Sequence, residues 1–85
     1  MDNVIAVFNN RNQSMQFASM LKKMGVANKT INTPRELSVS CGISVVFSMN
    51  NIKQAEYVLK SYNFGAFVGL YRIKSGGFIK KYQPI

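Results

Sequence analysis

The sequence predicts an α+β fold in which two helices cover one face of an antiparallel sheet. Two amphipathic segments with helical spacing alternate with four strand-like runs, in the order β-α-β-β-α-β over residues 1–74. No linker-like segment interrupts this order, and a chain of 85 residues is long enough for one small domain. Short crossovers and the right-handed β-α-β rule favour a ferredoxin-like two-layer sandwich.

The first half of the chain supplies two strands and one helix. Residues 4–8 are apolar throughout, as in a strand that is buried on both faces. Asn10 is the predicted N-cap of the helix, with a glutamine at the third helical position, and Gly25 is its predicted stop. A polar, edge-like strand is expected over residues 28–32. The apolar face of the helix has the expected spacing: Phe17, Ala18, Leu21 and Met24.

The middle of the chain predicts a short helical turn followed by a third strand. Thr33 and Glu36 match a capping box around Pro34, which suits the first helical position. This pattern predicts one turn that ends near Val39. Residues 43–47 are mostly apolar and β-branched, which is typical of a buried strand.

A second helix and a fourth strand complete the sandwich. Ser48 or Asn50 is expected to cap this helix, and Asn63 and Gly65 are expected to end it. The fourth strand is expected over residues 66–73. The predicted apolar face of the helix again has helical spacing: Ile52, Ala55, Leu59 and Tyr62.

The end of the chain, residues 75–85, is predicted as an addition to the domain of residues 1–74. Gly76 and Gly77 separate two β-prone runs, which is typical of a hairpin. A fifth strand would then pair with the fourth, in the same molecule or in a neighbour. A disordered basic tail is the alternative, and the sequence leaves both open.

Composition argues against a self-sufficient enzyme. The chain has one cysteine, no histidine and three carboxylates, which cannot furnish a metal site or a Ser-His-Asp centre. We therefore expect no enzymatic activity, no metal and no cofactor. A single cysteine forms no internal disulfide, and no run is long enough for a membrane span. Met1 and Asp2 lead straight into the first strand, so we expect a cytoplasmic protein without a signal peptide.

The net charge of +8 is expected to attract anionic partners. Most basic residues are spread along the chain, but a C-terminal set is dense enough for an anion-binding patch: Arg72, Lys74, Lys80 and Lys81. With aromatic residues between them, these cations suit single-stranded nucleic acid. An amphipathic hairpin that protects a sheet edge is the preferred interpretation. A third interpretation is a regulatory module whose edge strands pair across a homodimer.

Cys41 carries the candidate functional thiol. It lies with Ser38 and Ser40 in a polar segment between two apolar runs, and loops of this kind often carry function. Gly42 can adopt positive φ and turn the backbone so that the thiol is exposed. Arg35 is the favoured local cation that would stabilise a thiolate, and another basic residue or loop amides are the alternatives that the sequence leaves open. The alternative is that Cys41 is a small buried residue at the start of the third strand.

The segment from Pro34 to Gly42 has the pattern Pro-Arg-x-x-Ser-x-Ser-Cys-Gly. It resembles the signature of a small bacterial and archaeal family labelled selenium/sulfur carrier-like, and the similarity covers about residues 3–73. The resemblance implies a compact α/β domain whose Cys41 holds a persulfide or selenopersulfide for transfer between donor and acceptor proteins. Thiol exchange of this kind needs no second catalytic residue. The supporting residues, assigned by position, are Pro34, Arg35, Ser40 and Gly42.

Overall fold

An antiparallel sheet with helices on one face forms the frame of the molecule. The computed structural model describes residues 3–37, 42–76 and 79–85, and in them the chain forms five strands and two α-helices. This architecture confirms the predicted α+β class. The strands are β1 (Asn3–Phe8), β2 (Asn28–Asn32), β3 (Ile43–Ser48), β4 (Phe67–Gly76) and β5 (Ile79–Pro84). The helices are α1 (Arg11–Lys23) and α2 (Ile52–Ser61).

The strand order in the sheet is β2-β3-β1-β4-β5, and every neighbouring pair is antiparallel. β1 lies at the centre, where Ile5 is opposite Val46 of β3 and Tyr71 of β4. Each β-α-β unit is split by a third strand, an arrangement compatible with the predicted ferredoxin-like sandwich. β5 pairs with β4 of the same molecule, so the end of the chain forms the predicted hairpin strand and not the alternative, a disordered tail. β4 extends to Gly76 because β5 supplies a partner for its second half.

α1 begins and ends at the predicted residues. The Asn10 side chain accepts a hydrogen bond from the Gln13 N–H at 3.1 Å, as an N-cap does. Gly25 has φ +80°, and the Val26 N–H donates to the Leu21 carbonyl at 2.9 Å. These are the features of a Schellman motif, in which glycine avoids the cost that a Cβ imposes at positive φ.

A 3-10 turn, Met49–Asn51, leads into α2. The Ser48 Oγ accepts a hydrogen bond from the Asn50 N–H at 3.2 Å. Of the two caps that the sequence suggests, Ser48 is therefore the one that the structure uses, and it caps the turn that precedes the helix.

The apolar face of α2 differs from the prediction at its end. Ala55 and Val58 are buried against the sheet. Tyr62, predicted to continue this face, is 51% exposed instead. The helix ends at Ser61, and Tyr62 has extended backbone angles (φ −125°, ψ 144°), so its side chain leaves the helical phase.

Each face of the sheet carries its own apolar cluster. The helix-side core lies between the sheet and the helices and consists of Val4, Ala6, Phe8, Phe17, Leu21, Val26, Val45, Phe47, Ala55, Val58 and Phe64. The sheet-side core lies on the opposite face, where half-buried Ile31, Leu37, Tyr71, Ile73 and Tyr82 surround buried Ile5, Val7 and Val46. Over the residues that the structure describes, neither helix has the length and apolar character needed to cross a membrane.

Candidate functional site

The candidate thiol segment joins β2 to β3. Cys41, Ser38 and Ser40 lie outside the described residues, as does the predicted end of the turn near Val39. The chain is described on both sides of this segment, over residues 33–37 and from Gly42 onward. These flanking residues fix the two ends of the segment, and the hydrogen bonds that they make hold those ends in place.

Thr33 ties the start of the segment to its end. Its N–H donates to the Gly42 carbonyl at 2.9 Å, so the two ends of the loop are hydrogen-bonded to each other. The Thr33 and Ser44 hydroxyls are also hydrogen-bonded, with 2.6 Å between their oxygen atoms. Ser44 is fully buried, and a buried hydroxyl that loses its hydrogen bond lowers stability.

Ser14 of α1 holds Ile43, the first residue of β3. Its hydroxyl donates to the Ile43 carbonyl at 2.9 Å, and the side chain is fully buried beneath the helix. Gly42, Ile43 and Ser44, the three residues that follow Cys41, therefore each take part in a hydrogen bond to a fixed element. We call these bonds, together with Thr33 and Ser14, the loop anchor.

A 3-10 turn, Arg35–Leu37, begins the segment and packs on the sheet face opposite the helices. The Leu37 N–H donates to the Pro34 carbonyl at 3.1 Å, and the Leu37 side chain packs on the sheet-side core. Pro34 is half-buried, whereas Arg35 is exposed on the turn. The predicted turn is thus present, but the Thr33 hydroxyl contacts Ser44 instead of capping it, because the β2–β3 register brings these two side chains together.

Gly42 does not use the backbone freedom that the sequence suggested. It is exposed, and among the described glycines positive φ belongs to Gly25. A Cβ added at Gly42 would meet no atom of the described residues within 4 Å. The described backbone at this end of the loop therefore uses no left-handed residue at Gly42.

The structure brings together part of the predicted basic patch. Lys74 of β4 lies directly opposite Lys81 of β5, whereas Arg72 is half-buried and lies opposite Gln83. Lys80 is on β5, one position before Lys81. Like charges that face each other across two strands are destabilising, so an anion here would be favourable. Anion binding by this set stays a prediction.

Sequence reasoning missed the two serines of the loop anchor. Ser14 has the spacing of the buried face of α1, one turn before Phe17. Ser44 is a hydroxyl residue inside the apolar run of β3. A polar residue at a buried position usually has a hydrogen-bond partner, and this signal was present in the sequence. Their partners depend on strand register and helix packing, which the sequence alone does not show.

The fold and the loop anchor define a small α+β domain whose cysteine-bearing segment joins β2 to β3, with the described residues on both sides of that segment held by hydrogen bonds. A family model described as "Putative Se/S carrier protein-like" matches residues 3–67, and the chain belongs to this family. The match includes the whole segment from Pro34 to Gly42 and ends at the first residue of β4. No curated protein and no solved structure matches the chain.

Proposed function

We propose that this chain carries sulfur or selenium on Cys41, as a persulfide or selenopersulfide, between donor and acceptor proteins in the cytoplasm. It would act as a carrier and not as an enzyme. The observation that carries the proposal is the family membership, because the matched residues include the cysteine and its flanking pattern from Pro34 to Gly42. The resemblance in the sequence and the family match thus support the same residue.

The chemistry balances without an added oxidant or reductant. The Cys41 thiolate attacks the outer sulfur of a donor persulfide, R–S–SH, and forms a new S–S bond. The donor's own S–S bond breaks, and the donor leaves as the thiolate R–S⁻. In delivery, an acceptor thiolate attacks the outer sulfur on Cys41, which leaves as a thiolate. The net result is transfer of one sulfane sulfur between thiols.

The loop anchor supports this function because it holds the chain next to Cys41 in a fixed position. A carrier must present one atom to two different partners, and each transfer requires an attacking sulfur in line with the S–S bond. The bonds at Gly42, Ile43 and Ser44 hold the chain immediately after Cys41. The exposed Arg35 on the turn is the cation nearest to Cys41 along the chain, and a nearby cation lowers the pKa of a thiol.

The first test is the reactivity of Cys41 in the folded protein. Iodoacetamide labelling over a range of pH, read by intact mass, gives both the pKa of the thiol and its alkylation rate. We expect a pKa below the usual value of about 8.5 and faster labelling than in the unfolded chain. Labelling only after denaturation would contradict the proposal and would make Cys41 a core residue.

The second test is transfer itself. Glutathione persulfide is added to the reduced protein, and we expect intact mass to show the gain of one sulfur atom. Cys41→Ser should gain none. Thr33→Val keeps the shape of the side chain but removes the hydroxyl, and we expect it to slow the transfer, whereas Thr33→Ser should restore it. Equal transfer by wild type and Cys41→Ser would show that sulfur is bound elsewhere.

A further inference from the structure

The outer surface of the two helices carries a groove that the proposed thiol chemistry does not use. It runs between the C-terminal halves of α1 and α2 and has a volume of about 230 Å³. We call it the helix groove. Its lining residues are Met20, Lys23, Met24, Tyr57, Val58 and Tyr62.

Large apolar side chains are exposed along the helix groove. Tyr57 is 64% exposed, Tyr62 51% and Met24 42%, whereas Val58 at its floor is 1% exposed. Tyrosine and methionine are enriched at protein interfaces, since tyrosine combines apolar area with a polar end and methionine adapts to the shape of a partner. These side chains thus have the composition of a binding surface for an apolar anchor.

One wall of the helix groove is held in place by the core. The Tyr62 ring lies edge-on to Phe64, with 6.5 Å between the ring centroids. Phe64 in turn packs edge-on against Phe17 at 5.9 Å. Because a side chain that is already ordered loses less entropy on binding, this contact favours association at Tyr62.

Lysines border the helix groove. Lys23 is itself part of the lining, whereas Lys53 and Lys60 lie next to Tyr57 along α2, and Lys60 also lines a second pocket. Glu56 is an acidic neighbour, but the chain as a whole has a net charge of +8. A partner with carboxylates around an apolar side chain would match these lysines, whereas a second copy of the same groove would be repelled.

From this geometry we infer that the helix groove binds an acidic segment of a partner protein, with an apolar side chain of that segment seated between Met24 and Tyr57. The helix groove lies between the helices, whereas Leu37, the last described residue before Cys41, packs on the sheet-side core on the other face of the sheet. A partner bound to the helices would leave Leu37 uncovered. This inference does not depend on the chemistry of Cys41.

A defined peptide tests the inference. The probe is a labelled amphipathic peptide with leucine on one helical face and glutamate on the other, titrated by fluorescence anisotropy. We expect it to bind the full chain, and we expect its lysine counterpart to bind at least about tenfold more weakly because of the lysines that border the groove. Equal binding of the two peptides, or no binding of the acidic one, would overturn the inference.

The five methionines of the chain provide an internal readout of the location. With methyl-labelled methionine, we expect the NMR signals of Met20 and Met24 to shift on peptide addition. The signals of Met15 and Met49 should stay unchanged, because neither lines the helix groove. Shifts at Met15 without shifts at Met24 would place the binding elsewhere and overturn the inference.

Single substitutions separate the apolar and the charged contributions to peptide binding. Tyr57→Ala should weaken peptide binding by about tenfold, as expected for an interface anchor. Lys23→Glu should also weaken it, and Val68→Ala, at an exposed apolar residue of β4, should leave it unchanged. Binding that is indifferent to Tyr57→Ala would overturn the inference. Groove-dependent binding of phosphatidylserine vesicles or of oligothymidylate, without binding of the peptide, would also overturn it.

Discussion

The two faces of the sheet differ in the elements that cover them. The helix-side core is covered by α1 and α2, and its aromatic rings pack closely, with 5.3 Å between the centroids of Phe8 and Phe17. The sheet-side core is smaller and is bordered by a 3-10 turn at Leu37 and by Tyr82 of the β4–β5 hairpin. Helices bury more apolar area than a turn and a hairpin, so the first face should set global stability. The second face should control the loop next to Cys41.

The largest expected effect is on the helix-side core. Phe17→Ala removes a fully buried ring that contacts Phe8, Phe47 and Phe64. We expect the free energy of unfolding to fall by about 3–5 kcal/mol, measured by urea denaturation. In a domain of this size such a loss can abolish the folded state altogether. A fall of less than about 1 kcal/mol would show that this face does not dominate stability.

A smaller effect is expected on the sheet-side core. Leu37→Ala should lower the free energy of unfolding by about 1–2 kcal/mol, since Leu37 is half-buried. It should also speed amide hydrogen exchange over residues 35–37. The matched control is Leu59→Ala, because Leu59 is a half-buried leucine that packs against the helix-side core. If both variants speed exchange at residues 35–37 equally, the two faces are not independent.

The smallest effects on stability are expected for substitutions at two glycines, which should differ from each other. Gly25→Ala forces a Cβ into positive φ at the end of α1 and should cost about 1 kcal/mol of stability. Gly42→Ala should change stability by less than about 0.5 kcal/mol, because no atom of the described residues comes within 4 Å of a Cβ there and the φ of Gly42 is not positive. Thermal melts of the two variants measure this difference. A larger loss at Gly42 would mean that the loop anchor needs a glycine there.

Local signals predict most of the fold. The cap at Asn10, the stop at Gly25 and the edge strand over residues 28–32 are present as predicted, because each depends on residues close in sequence. Contacts between distant elements are less predictable. The Gln13 side chain, for example, accepts a hydrogen bond from the Ala66 N–H at 2.9 Å, across 53 residues.

The candidate site is also predictable only in part, because a local motif is visible in the sequence whereas contacts between distant elements are not. The motif identifies the segment from Pro34 to Gly42, and the family that it indicates is confirmed. The bond between Thr33 and Ser44 arises from the β2–β3 register, and that between Ser14 and Ile43 from helix packing. Neither depends on residues that are neighbours along the chain. A motif thus indicates which residues matter but not which residues hold them.

The central position of β1 has a consequence for how the chain folds during synthesis. Residues 4–8 are fully buried, and both strands that pair with β1 come later in the chain. As the protein emerges from the ribosome, this apolar strand has no partner until β3 appears, and its second edge stays open until β4 appears. Pairing over such long sequence separations slows folding. A nascent chain stalled before β4 should therefore be a good substrate for chaperones that bind extended apolar segments.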